Sequence, residues 1–160
     1  MRLETEAELI QNSALGAALL WAFTAEFVGA AQQSRGPTLP LALLVLPMAL
    51  HQETMLSLHS RNYDGGLDLA LAENRTLTVD LQERMRAMEP QTMVALNVAF
   101  GSGLLTYERE QGELRIARKT NPFDTDSVEV RRMLNTARRL GYWFCVINPQ
   151  RLGALLRIRF

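Results

Sequence analysis

Chemistry in a chain of 160 residues would have to start from very few side chains, because there are only two histidines and one cysteine. His51 and His59 lie eight residues apart. On one continuous helix that spacing separates them by ~12 Å, too far to share a metal ion. Glu53 is the one obvious extra ligand beside His51. His51 closes an apolar run, so its ring nitrogens suit the polar edge of a core. Cys145 sits among aromatic and branched neighbours in GYWFCVI, the setting of an inert buried thiol, and a lone cysteine permits no disulfide within the chain. No phosphate-binding loop, dinucleotide fingerprint, nucleophile elbow or paired cysteines are present. Gly101 and Gly103 precede a strand pattern, the reverse of the strand-to-helix order a phosphate loop needs. These patterns predict no catalytic residue, no cofactor and no metal.

The remaining chemistry is charge. Formal net charge is zero, yet residues 1–60 hold two basic groups against five acidic ones, and residues 101–160 hold eleven against six. Arg115, Arg118, Lys119, Arg131, Arg132, Arg138 and Arg139 are the candidates for meeting an acidic protein face or DNA phosphates. A solvated helix face pairing with local carboxylates is the competing reading. The neutral total favours it, because DNA-binding domains carry basic excess.

These residues must be held by a fold that composition bounds to one domain over 1–160, with 48% hydrophobic and 21% charged residues. The stretch 38–51, TLPLALLVLPMALH, is too apolar for water and too short to span a bilayer. It must be buried. The acidic N-terminus does not read as a signal peptide, and the expected location is the cytoplasm, with no membrane partner.

Periodicity predicts a helical region over 1–103. The first long helix covers 12–31, capped by Asn12 or Ser13, with Leu15, Leu19, Phe23 and Phe27 on one face. Pro40 fits a first helical turn, whereas Pro47 predicts a kink or break. Short helices are expected over 50–60 and 67–73, around a turn at 62–66 (NYDGG). A helix over 76–88, opened by Thr76 or Thr78, should stop at the Glu89-Pro90 boundary, with Pro90 starting another that carries Met93, Val94, Leu96, Val98 and Phe100. Alternation over 104–110 and 113–119 predicts a β-hairpin within 104–119, followed by a loop at 121–123. C-terminal helices follow over 126–160: the first is opened by Asp126 with Glu129, the Asn148-Pro149 pair then breaks the chain, and a last short helix covers 150–156. The fold class is mainly α with one hairpin (α+β), compatible with a winged-helix-like core carrying additional helices.

Residues 12–21 (NSALGAALLW), 39–51 (LPLALLVLPMALH), 139–144 (RLGYWF) and 152–158 (LGALLRI) together resemble one family. They look like the middle component of three-component ABC systems, related to the small third subunit of Lamassu-type anti-phage complexes. The tail at 157–160 departs from the short proline-ended tail of that family. The resemblance implies a non-catalytic accessory subunit beside an SMC-like coiled-coil ATPase and an effector, typically a nuclease. It would bridge the ATPase near its head and help restrain or release the effector, reaching DNA only through the complex. Aromatic side chains dominate interface energies, so Trp21, Tyr63, Tyr142, Trp143 and Phe160 are the candidate partner contacts. Simple core packing is the alternative for Trp21 and Trp143. A stand-alone winged-helix DNA-binding regulator, with residues 115–119 as its wing, is the alternative function.

Overall fold

The computed structural model describes residues 6–121 and 123–160, with side chains from Ser13 onward. Its axis is α1 (Glu6–Ala30), which runs through the middle and is covered by two other long helices, α6 (Leu81–Gly101) and α7 (Val128–Val146). Leu19, Leu20, Phe23 and Phe27 of α1 are completely buried, and Trp21 is buried on another side. The backbone is already helical at Glu6, so Ser13 lies inside the helix rather than at its start; the Asn12 side chain lies outside the described residues. By length and hydropathy, residues Ser13–Ala30 could cross a membrane, but most of that surface is taken up by α6, α7 and the apolar segment that follows.

That apolar segment forms α2 (Leu39–Ala42), α3 (Val45–Ala49) and α4 (Gln52–Leu58), with Leu44, Val45, Leu46, Met48 and Ala49 buried. Pro40 occupies the first turn of α2 as expected. Pro47 breaks the run as expected, and the break falls at Leu43 and Leu44, so the ring sits in the first turn of α3. There its missing N–H has no helical carbonyl to lose. Helix α5 (Gly66–Glu73) follows the predicted turn.

The next region departs from expectation. Thr76 and Thr78 lie in a 3-10 turn, Arg75–Thr78, capped by the Asn74 side chain, and α6 starts only at Leu81. It then runs unbroken through Pro90. Glu89, Pro90 and Gln91 are all exposed, so water can serve the carbonyl that Pro90 cannot. The opposite face holds Leu81, Met85, Thr92, Ala95, Leu96 and Ala99, a stripe that keeps helical spacing across the proline. Packing of that stripe outweighs the local penalty. Of the apolar residues this helix carries, Met93, Val94 and Val98 are exposed, at 40%, 49% and 36%. With Pro90, Asn97 and Gly101 they recur at spacings of three and four, which places them on one outward face.

Strands β1 (Leu105–Glu108) and β2 (Glu113–Ile116) pair antiparallel, with Leu105 opposite Ile116 and Tyr107 opposite Leu114. Both strands are shorter than their alternating runs. Leu105 and Leu114 turn inward onto the helices, while Tyr107 stays exposed. Residues 36–38 lie along the outer side of β2: the Leu114 N–H donates to the Pro37 carbonyl, and Thr38 bridges to Glu113. A Cβ on Gly36 would land 1.9 Å from the Leu114 carbonyl oxygen, so only glycine allows this approach. Of the loop at 121–123, Pro122 lies outside the described residues. Helix α7 is capped by Ser127, whose Oγ accepts the Val130 N–H at 3.2 Å, one residue later than the expected start. Asn148 caps α8 (Pro149–Leu156), so Pro149, expected to end the preceding chain ahead of a helix over 150–156, instead occupies that helix's first turn.

Candidate partner interface

Three side chains of the RLGYWF segment in α7 grip the turn over residues 61–65. Trp143 Nε1 donates to the Tyr63 carbonyl at 2.6 Å, and the Tyr142 hydroxyl donates to Asp64 Oδ1. Arg139 Nε donates to the Arg61 carbonyl at 2.6 Å, and its guanidinium lies 4.9 Å from the centre of the Tyr63 ring. The Tyr63 and Tyr142 rings meet edge-to-face at 5.2 Å. Burial raises the Tyr63 phenol pKa, and the hydrogen bond to Asp64 raises that of Tyr142. Tyr63, Tyr142 and Trp143 therefore already serve one another, and the solvent-facing edges of the two tyrosines are what a partner could touch. Trp143 is buried, as is Trp21, whose Nε1 donates to the Arg118 carbonyl at 2.8 Å and ties the end of the hairpin to α1.

The basic candidates divide by occupation. Arg115 is held by Glu113 at 2.8 Å and Glu108 at 3.4 Å. Arg138 bonds Asn135, and Arg139 is committed to the turn. Arg118, Lys119, Arg131 and Arg132 are exposed and form no salt bridge among the described residues. They are the cations free to meet an acidic surface.

His51 serves local structure. His51 is the N-cap residue of α4, and its Nδ1 lies 2.8 Å from the Thr54 hydroxyl. Glu53 instead accepts from the Thr76 hydroxyl at 2.6 Å and the Asn74 amide at 3.0 Å. Among the described residues no three His, Cys, Asp or Glu side chains are grouped to hold a metal. Burial, with Arg84 adding to it and Glu53 opposing, lowers the His51 pKa below its ordinary 6.5. Burial together with Arg132 and Arg139 does the same to His59. Both rings thus bind protons more readily in the unfolded chain. Their contribution to stability is complete above about pH 6.5 and falls as pH drops towards the folded pKa values. Melting temperature should decrease from pH 7.5 to 5.5, and a His51→Gln, His59→Gln double variant should decrease less. Equal slopes for the two proteins would refute this.

Phe160 is 51% exposed and stands at the rim of a groove of about 570 Å³. Its floor is Phe27, Leu41, Phe144 and Ile147, all buried, and exposed Val146 forms part of its lining. Arg35, not among the residues singled out from sequence, crosses the groove. Its Nη2 donates to the Cys145 carbonyl at 2.8 Å, and the guanidinium lies 5.0 Å over the Phe27 ring. The signal available was its isolation, since it is one of only two basic residues before position 61 and precedes a Gly-Pro pair. Cys145 also lines this groove, but it is 8% exposed, and burial raises its thiol pKa despite Arg35 nearby. Alkylation by iodoacetamide at pH 7.5 should be at least ~10-fold slower than for glutathione, since little thiolate forms. A rate equal to glutathione's would contradict the burial.

Comparison with known proteins adds one finding. The family model described as ABC-three component (ABC-3C) system Middle Component 3 matches residues 1–160. No curated protein and no solved structure matches.

Proposed function

Given that this chain belongs to the Middle Component 3 family of ABC-three component systems, we propose that it is the non-catalytic accessory subunit of an SMC-like ATPase complex in anti-phage defence. A middle component implies partner subunits and an accessory role in an ABC ATPase system. In our reading it bridges the coiled-coil ATPase near its head and helps restrain an effector nuclease until the ATPase engages invading DNA. It works in the cytoplasm, in the manner of the related small subunit of Lamassu-type complexes, and reaches DNA only through its partners. The hairpin between α6 and α7 would serve as the wing of a winged-helix-like core.

The observation that carries this reading is the family match over residues 1–160. Surface chemistry supports it. Met93, Val94 and Val98 leave one face of α6 apolar and uncovered, and the groove beside Phe160 adds a second apolar surface. Patches of this kind suit protein contacts more than solvent.

Co-expression with the products of the two neighbouring genes, followed by affinity purification and mass determination, tests the proposal. A stable complex containing a long coiled-coil ATPase is the expected result. A chain that purifies alone and binds duplex DNA in a strongly salt-dependent way would favour a stand-alone regulator using Arg118, Lys119, Arg131 and Arg132.

A further inference from the structure

We propose that the groove between α2, the end of α7 and Phe160 binds an extended segment of a partner protein in which a carboxylate adjoins a large apolar side chain. The inference rests on the accessory-subunit reading only for where that segment comes from. The recognition chemistry is a property of this chain.

The groove combines an apolar floor with one fixed, uncompensated cation. Phe27, Leu41, Phe144 and Ile147 form the floor, and Val146 and Phe160 offer exposed apolar surface beside it. About 570 Å³ is room for two or three side chains. Arg35 is the one cation among the lining residues. Its Nη2 bond to the Cys145 carbonyl and its position over Phe27 hold the guanidinium in place, so little side-chain entropy is left to lose on binding. Nε and Nη1 make no hydrogen bond among the described residues, and Arg35 has no carboxylate partner there.

The carboxylate already in the groove is not available to it. Glu113 accepts from the Gly36 N–H at 3.0 Å and from Arg115 at 2.8 Å. That arrangement neutralises Glu113 from the hairpin side and leaves Arg35 with its charge unmatched. A guanidinium with free donors beside apolar surface matches a carboxylate, and the floor matches a hydrophobic side chain next to it. Nucleic acid fits poorly, because a phosphate backbone is held by several cations and this groove has one.

Selection of a phage-displayed random heptapeptide library on the purified full chain tests this directly. Wild-type protein should enrich peptides carrying Asp or Glu next to Leu, Ile, Phe or Trp. The best synthetic peptide should bind at least tenfold more weakly to Arg35→Gln, and its Glu-to-Gln counterpart should bind wild type at least tenfold more weakly. Val146→Asp changes an exposed lining position and leaves the core intact. It should also lose at least tenfold, by offering Arg35 a carboxylate from within the chain. Circular dichroism and melting curves establish that both variants are folded. No enrichment, enrichment without acidic residues, undiminished binding to both variants, or displacement of the peptide by 10 mM inorganic phosphate would each overturn the proposal. Because this selection uses the chain alone, its failure leaves the accessory-subunit reading untouched. A failed co-purification would equally leave peptide binding standing.

Discussion

Replacing Gly141 with alanine should strongly destabilise this protein by forcing its two central helices apart. A Cβ at Gly141 would lie 2.2 Å from the Phe23 carbonyl oxygen and 3.1 Å from Glu26 Cβ. The first neighbour is backbone of α1, so no rotamer change relieves it; the two central helices must separate. Their separation would open the packing around Phe23, whose ring meets Phe27 tilted at 6.3 Å and Phe144 edge-to-face at 5.7 Å. Overpacking in a well-filled core costs ~1–3 kcal/mol and more when backbone must move, so at least ~3 kcal/mol is expected here. For a domain of this size that corresponds to a melting-temperature drop of about 6–12 °C. Gly29→Ala provides the control. Gly29 lies in the same α1, its added methyl would meet nothing within 4 Å, and its helix propensity should gain by about 0.5–1 kcal/mol. Urea or thermal unfolding of the pair reads both. Similar stabilities for the two variants would refute the close α1–α7 contact.

Trp143→Ala should be comparably damaging, for a different reason. The ring is 1% exposed, among the largest side chains in the core, and its removal should cost ~3–5 kcal/mol through lost burial and the cavity left behind. Trp143→Phe separates the two roles of this side chain. It keeps most of the apolar volume but orphans the Tyr63 carbonyl, for an expected cost of about 1–3 kcal/mol. Tyr142→Phe removes the neighbouring bond to Asp64, which lies at the exposed surface, and should cost less than ~1 kcal/mol. The order Ala, then Phe at 143, then Phe at 142 is the result to look for in chemical unfolding. Loss of the Trp143 contacts should also free the turn at 61–65, seen as faster amide hydrogen exchange there. If Trp143→Phe were as stable as wild type, the bond from Trp143 to the turn would contribute nothing.

Much of the fold could be read from residue order because the governing physics is local. Pro40 in a first turn, the break at Pro47, the NYDGG turn and the hairpin each follow from backbone preferences of a few residues. Pro90 shows where local preference misleads. Its ring argues for a boundary, yet Leu81, Met85, Thr92, Ala95 and Ala99 keep one helical register across it, and burial of that stripe against α1 and α3 prevails. Met93, Val94 and Val98 show a complementary limit. Their apolar character predicts burial, but hydrophobicity says nothing about whether a neighbouring element exists on that side.

The residues we propose for partner contact are legible in the sequence as types more than as places. Aromatic and Arg side chains near the C-terminus are visible in the chain. What the tertiary structure alone decided is how those groups are spent: Tyr63, Arg139, Tyr142 and Trp143 on one another, Arg115 on the hairpin, and Arg35 on a groove closed by a cysteine 110 positions away. By itself the sequence determined a mainly helical domain with one hairpin, an apolar centre that must be buried, and the family to which the chain belongs. Those properties depend on periodicity and on steric preferences that act within a few residues. Burial and charge pairing depend on which elements meet, and that is settled only when segments far apart in the chain close on a common core.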